Sequence, residues 1–307
     1  MALHHSSGNW RLGLGLSSVA VFLWGILPVG LAVTLQALDV YTIVWFRFIF
    51  AFVVLGIYLA TKRQLPPIIK LRTIPGWLIA IAILGLAFNY LFFLQGLQQT
   101  SPSNAEVIIQ LAVVLMGLGG LAIFKERYRL PQWIGLGVLI LGFSLFFHEQ
   151  IQVLVNASQD YLIGSGIIVL GAITWAAYSL AQKQLLQKLS SFQIMWLIYG
   201  SCALLFSPFA KPQLLLSLDT LHLGTLLFCA FNTLIAYGAF AESLEHWEAS
   251  KVSAVLALAP ILTILAMELV TWLVPNLVPP EHITQLGIVG AVLVVAGSVS
   301  IALGKQS

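Results

Sequence analysis

Ten apolar runs, each about as long as a bilayer is thick and each followed by a short polar or charged loop, constrain this chain more than any other feature. They fall at about 12–35, 39–61, 74–97, 103–124, 131–148, 162–182, 190–209, 220–241, 250–273 and 284–304. At about 1.5 Å of rise per helical residue, some 20 residues cross a hydrocarbon core. The ten runs therefore account for nearly all of the 307 residues and leave no room for a sizeable extramembrane domain. Composition agrees, with 60% hydrophobic and 8% charged residues, where soluble domains carry about 45–50% and about 25%. The expected fold class is an all-α polytopic membrane protein of ten transmembrane helices, with the lipid bilayer as its first partner.

The formal charge of +3 invites an acidic partner, but the Lys and Arg residues sit in the loops. A cytoplasmic N-terminus puts Arg11, Lys62, Arg63, Lys70, Arg72, Lys125, Arg127, Arg129, Lys183, Lys188, Lys251 and Lys305 on the inner side and only Lys211 outside. Arg47, within the second run, completes the 14 basic residues. The positive-inside rule then predicts both termini in the cytoplasm, in an integral membrane protein of the bacterial inner membrane, and nucleic acid is not indicated. The first run is longer than a signal-peptide core and is expected to be retained; residues 1–11 are expected to be a cytoplasmic tail, disordered up to Trp10, with His4 and His5 binding no metal. Cys202 and Cys229 both fall inside apolar runs and are expected to be packing residues, since neither a disulfide framework nor a thiolate metal site has the spacing it needs. The Asn156-Ala157-Ser158 sequon is a weak match that has no consequence in a bacterium.

The two halves of the chain match each other. At an offset of 151, Trp24 falls on Trp175, Ile43 on Ile194 and Trp45 on Trp196. At 147, Tyr90 meets Tyr237, Phe93 meets Phe240, Leu97 meets Leu244 and Ser103 meets Ser250; at 155, Gly135 meets Gly290 and Gly142 meets Gly297. One five-helix unit used twice, 12–148 and 162–304, must enter the membrane from opposite sides, because its number of crossings is odd. The expected architecture is two inverted-topology repeats, a symmetry characteristic of alternating-access carriers.

These residues resemble the EamA-like branch of the drug/metabolite transporter (DMT) superfamily. The resemblance is carried by Trp24-Gly25 with Pro28, by Arg47, by the run from Asn89-Tyr90 to Gly96-Leu97, by Phe124-Lys125-Glu126-Arg127, and by Ala249-Ser250-Lys251-Val252 leading to Pro260. It covers nearly the whole chain and implies a ten-helix secondary transporter, often an exporter of amino acids or other small metabolites. The halves are not equivalent: Val113 stands where the second half has Pro260, and Arg47 where it has Ile198.

In inverted repeats the substrate site is expected near the bilayer midplane between the halves. Trp24, Asn89, Trp175 and Asn232 come out near mid-depth and Gln110 somewhat nearer the outer face. Gly85, Asn89, Phe92 and Gly96 form one helical stripe whose counterpart is Asn232, Ala236, Ala239 and Ser243. Glu106, Gln110, Val113 and Gly117 form another, matched by Ser253, Ala257, Pro260 and Ile264. The glycines are expected to let helices approach; the Asn and Gln side chains either bond between helices or face the site. Substrate-binding candidates are Trp24, Asn89, Tyr90, Gln110, Trp175, Tyr178, Asn232 and Tyr237. Arg47 lies about 12 Å below Asp39 and Glu106 about 7 Å below Ser101 by helical rise. Their depths permit a salt bridge, or a gating or proton-coupling role. Pro28 and Pro260 are candidate hinges or static kinks.

The expected function is a secondary transporter, most simply an amino acid exporter with aromatic or apolar substrates favoured, working as monomer or homodimer without cofactor. A phosphate-bearing substrate is disfavoured because Arg47 is the only mid-depth cation. The alternative is a membrane-embedded enzyme or a structural or sensor protein. The sequence has no zinc-protease helix, no nucleophile elbow and no P-loop, and no catalytic residues are assigned.

Overall fold

The computed structural model describes residues 6–67, 71–148, 158–274 and 284–303, with Gln152 and Leu277. His4, His5, Lys70, Asn156 and Lys305, discussed above, lie outside the described residues. The helices in chain order are α1 (Trp10–Thr34), α2 (Val40–Thr61), α3 (Gly76–Gln99), α4 (Pro102–Ile123), α5 (Leu130–Phe146), α6 (Gln159–Leu185) and α7 (Ser191–Phe206). After a 3-10 turn at Pro212–Ser217 come α8 (Thr220–His246), α9 (Ala249–Leu256), α10 (Ala259–Leu273) and α11 (Gln285–Ala302). Among the described residues there is no strand.

Several helices start at side-chain caps that relieve unpaired backbone N–H groups. Asp39 accepts from Thr42, Ser101 from Asn104, Ser158 from Tyr161, and Asp219 from His222. Two such caps let α6 and α8 run to 27 residues each, beyond their apolar runs. Residues 6–9, expected to be disordered, are held in place. Asn9 caps α1, and Ser7 bonds back to α8 through Glu245 and His246, because a polar segment beside a helix end finds partners there.

Eight helices are long and apolar enough to cross a membrane, with Ala249–Leu273 counted through its break; α5 and α7, at 17 and 16 residues, are shorter. The polarity is inverted relative to a soluble protein. Phe22, Ile57, Leu204 and Trp272 are exposed on the outside, while Arg47, Asn89, Glu106 and Gln110 are buried. Only a hydrocarbon solvent makes both placements favourable. This is an integral membrane protein.

Within lipid, close backbone packing holds helices together, since burying apolar surface gains little there. The α5–α11 contact illustrates this. Gly135 faces Gly297 and Gly142 faces Gly290, with each built-on Cβ falling 2.6–3.1 Å from the opposing glycine carbonyl oxygen, so any side chain would force the helices apart. The other close partners are α3 with α6, α1 with α8, α4 with α6, α1 with α9 and α10, α2 with α7, and α4 with α9.

Hydrogen bonds tie the helices at both ends of the bundle. At one end, the basic end, Gln193 bonds Gln64 and Glu126 meets Lys183, and Lys62, Arg63, Lys125, Arg127, Arg129, Lys188 and Lys251 also gather there. At the opposite end Thr34 bonds Thr225, Lys211 bonds Thr42, and Asn104 bonds Ser165.

Candidate functional site

A cavity of about 100 Å³ runs from the middle of the bundle toward the opposite end. Its inner limit is aromatic. Trp24 of α1 meets Trp175 of α6 edge-on, with ring centroids 5.8 Å apart, and meets Tyr237 of α8 at 4.8 Å. Phe240 closes the group, 5.4 Å from Trp24 and 5.2 Å from Trp175. Edge-to-face contacts of this kind are worth about 0.5–1.5 kcal/mol each beyond burial, so the floor is a rigid plug as well as a lining. The repeat-matched pairs Trp24 and Trp175, and Tyr90 and Tyr237, come together here, the latter two 5.4 Å apart.

Arg47 projects from α2 to the cavity and is almost fully buried. Its Nε donates to Thr233 Oγ1 at 2.9 Å, and its guanidinium lies 4.4 Å from the centre of the Tyr90 ring. Thr233 also accepts from the Tyr90 hydroxyl at 3.3 Å and donates to the Cys229 carbonyl, which fixes its orientation. Glu106 lines the same cavity from α4. The salt bridge that the depths of Arg47 and Glu106 permit does not form: the ion pairs among the described residues are Lys183–Glu126, His222–Asp219, His246–Glu242 and Lys251–Glu248. Depth says how far along its helix a side chain lies; helix rotation decides whom it meets, and Arg47 is turned to Tyr90 and Thr233.

Gln110, one turn from Glu106, lines the cavity with its Oε1 bonded to no protein group, and Trp24 Nε1 is likewise unpartnered. Asn89 lines the cavity while its amide donates to the Gly171 carbonyl at 3.1 Å, joining α3 to α6. Two candidates are turned away. Asn232 donates to the Leu23 carbonyl at 2.5 Å and does not line the cavity. Tyr178 is fully buried behind Tyr237, its hydroxyl 3.3 Å from Met195 Sδ.

The two prolines differ. Pro28 lines the cavity inside an unbroken α1. Ahead of Pro260 the chain breaks between α9 and α10, because Pro260 has no N–H for the Leu256 carbonyl and its ring crowds it. Leu256 and Ala259, on either side of the break, both face the cavity, although Pro260 itself does not.

Thr233 and Phe240 complete the site and were not singled out as site residues by sequence. Phe240 had a usable signal in its match to Phe93; a lone Thr in an apolar helix has none.

At the basic end the bundle is shut. Lys125, with φ of +56° in the left-handed region, turns the chain out of α4 so that Glu126 points back into the protein. The Glu126 carboxylate accepts from Lys183 Nζ at 2.7 Å and from the backbone N–H groups of Ala249 and Ser250 at 2.9 and 3.0 Å. Burial works to raise its pKa, but Lys183 and the Ser250 hydrogen bonds outweigh that and hold it below the ordinary carboxylate range.

An all-helical membrane protein that encloses a polar and aromatic cavity, extending from an aromatic floor toward one end, has the build of a small-solute transporter. The family model for the EamA-like transporter family matches the chain twice, over residues 11–147 and 162–303. An uncharacterized transporter of Haemophilus influenzae is 38% identical over 295 residues, covering 96% of both chains. The uncharacterized inner membrane transporter YhbE of Escherichia coli is 37% identical over 297 residues, covering 96% of this chain and 92% of its own. A probable amino-acid metabolite efflux pump of Salmonella typhimurium is 26% identical over 206 residues, 63% of this chain and 64% of its own. A solved crystal structure with 17% sequence identity shares the fold at a TM-score of 0.70 over 95% of this chain and 96% of that one. The chain belongs to the EamA-like transporter family, within the drug/metabolite transporter superfamily, and is a transporter.

Proposed function

We propose that the protein exports amino acids with aromatic or apolar side chains across a bacterial inner membrane, by alternating access of two inverted five-helix repeats with both termini in the cytoplasm. The basic end is then the cytoplasmic one, and the cavity faces outward. The observation that carries the substrate reading is that Arg47 and Glu106 reach one cavity without pairing to each other, above an aromatic floor. An amino acid zwitterion complements all three parts: carboxylate to Arg47, ammonium to Glu106, side chain to Trp24, Trp175 and Tyr237. The relative described as an amino-acid metabolite efflux pump supports the same class.

The inverted repeat is supported by the double family match and by the helix pairings. Replacing each helix by its counterpart in the other half turns the α3–α6 contact into α8–α1, and the α4–α6 contact into the one between α1 and the broken α9–α10. It also turns Gly135–Gly297 into Gly290–Gly142. A pair-wise match of this kind is what a two-fold axis between the halves produces.

Glu106 is the proposed coupling group, because one carboxylate cannot hold a proton and a substrate ammonium together. The other ionisable side chains at the cavity are Arg47, Tyr90 and Tyr237. In proteoliposomes loaded with labelled phenylalanine or leucine, a pH gradient is expected to drive flux through the parent. Glu106→Gln should abolish that gradient-driven flux and weaken, without abolishing, substrate binding, since Arg47 and the aromatic floor remain. A Gln variant that concentrates substrate as well as the parent would remove the proton-coupling role. Absence of flux for the whole amino acid panel in the parent would remove the substrate class.

A further inference from the structure

Some first-half residues of the cavity share it with their second-half counterparts, Trp24 with Trp175, Tyr90 with Tyr237, Ile109 with Leu256 and Ala112 with Ala259, whereas others have counterparts that lie outside it. At the offsets set by the repeat, Leu27 corresponds to Tyr178, Leu31 to Gln182, Phe93 to Phe240 and Glu106 to Ser253. The first member of each pair lines the open cavity. None of the second members does, and all four are buried. The molecule is therefore nearly symmetric in its helix pairings and asymmetric in its openings.

One of these buried counterparts is out of place where it stands. Gln182 is wholly inaccessible, and neither its amide oxygen nor its amide nitrogen has a hydrogen-bond partner. A buried unbonded amide is expensive, and a core position occupied for packing alone would be served by Leu, the residue at the matching position 31. Gln182 stands two helical turns from Trp175 toward the basic end, on the same face of α6, with Tyr178 between them. Beyond the plug a second, small void of about 20 Å³ already lies between α4, α5, α9 and α11, lined by Gly117, Tyr128, Ser250 and Ser253. Val113 of α4 borders both this void and the main cavity.

We propose that Gln182, with Tyr178 and Ser253, lines a second substrate cavity that opens toward the basic end when the two repeats exchange conformations. The inference rests on the inverted-repeat reading given above. Its chemistry differs from that of the open cavity, because the counterparts of Arg47 and Glu106 are Ile198 and Ser253. Facing the basic end, the transporter holds the polar part of its substrate by neutral hydrogen bonds from the Gln182 amide and the Tyr178 and Ser253 hydroxyls. Facing the opposite end, it holds the same substrate by charge. The Glu126–Lys183 lock and its bonds to the start of α9 keep the second cavity shut in the present state.

Single cysteines in the full-length protein, with Cys202 and Cys229 replaced by Ala, test this in sealed vesicles of each orientation with a membrane-impermeant methanethiosulfonate. Ile109→Cys marks the open cavity and is expected to label only from the opposite end. Gln182→Cys and Ser253→Cys are expected to label only from the basic end, several-fold faster when Glu126→Gln is added. Ala172→Cys, equally buried on α6 but matched to no cavity residue, is expected to stay unlabelled. Should the Gln182 variant fail to elute as a monodisperse species, Ser253→Cys carries the test alone. If Ile109→Cys labels while neither second-half cysteine does, even with the lock broken, the second cavity is wrong and the open cavity stands. Labelling of either second-half cysteine from the opposite end also overturns it. If Ile109→Cys itself is silent, the failure belongs to the transport reading.

Discussion

The two ends of this transporter treat charge in opposite ways. At the basic end Glu126 and Lys183 are buried together at 2.7 Å, and the carboxylate also collects two backbone N–H groups. In the cavity Arg47 and Glu106 are buried to the same degree and have no ionic partner. Arg47 is kept in place by one hydroxyl and one aromatic face. A saturated ion pair closes a protein, whereas isolated charges around a cavity leave their strongest interactions for something that arrives from outside. The two sets of charge are distinguished by their partners, since burial is the same for both, and it is the unpaired set to which the proposed function gives a role in transport.

The sharpest way to break that comparison is to remove a charge from each end. Glu126→Ala leaves Lys183 buried and unpaired and should cost about 3–5 kcal/mol, read as a lowered Tm in detergent. The same lock predicts a pH dependence. The folded pKa of Glu126 is depressed, so its contribution is present above the ordinary Glu range and is lost as pH falls through the lowered value. Tm should therefore drop in acid for the parent and much less for Glu126→Gln. Arg47→Leu should do the reverse, costing under about 1 kcal/mol of stability, because the lost cation–π contact and hydrogen bond are offset by no longer burying an unpaired charge, while reducing transport at least about tenfold. Equal destabilisation by both variants would erase the distinction.

Smaller effects sharpen it. Gln182→Leu removes an unbonded amide and should raise Tm, by about 1–2 kcal/mol of stability. Smallest of all, Asn232→Leu removes one interhelical hydrogen bond outside the cavity, worth about 0.6 kcal/mol in a membrane, and should leave transport nearly intact. Asn89→Leu removes a similar bond at the cavity wall and should weaken substrate binding. Equal transport by the two Asn variants would assign Asn89 to packing as well.

Much of the site was legible because the repeat singled out particular residues among many similar ones. Nine Trp are spread along the chain, yet Trp24 and Trp175, matched and deep, are the two that meet at the floor. The same matching picked out Gly135, Gly142, Gly290 and Gly297, but only the structure shows that they meet in the seam between α5 and α11. It failed where a helix turns. Asn232 and Tyr178 lie at the right depth and point elsewhere, and Pro260 acts through the break before it while Pro28 leaves its helix whole. Thr233, the residue that orients Arg47, had no signal at all.

By itself the sequence determined that the chain lives in a bilayer, that it is helical, and which pairs of residues are equivalent. Those properties follow from hydropathy, helical rise and self-similarity, which are local or arithmetic. Only the tertiary structure decided toward which end the cavity extends, which charges find partners, and that Gln182 is buried with none. A few degrees of helix rotation or tilt exchange one neighbour for another without changing a single residue's depth or period.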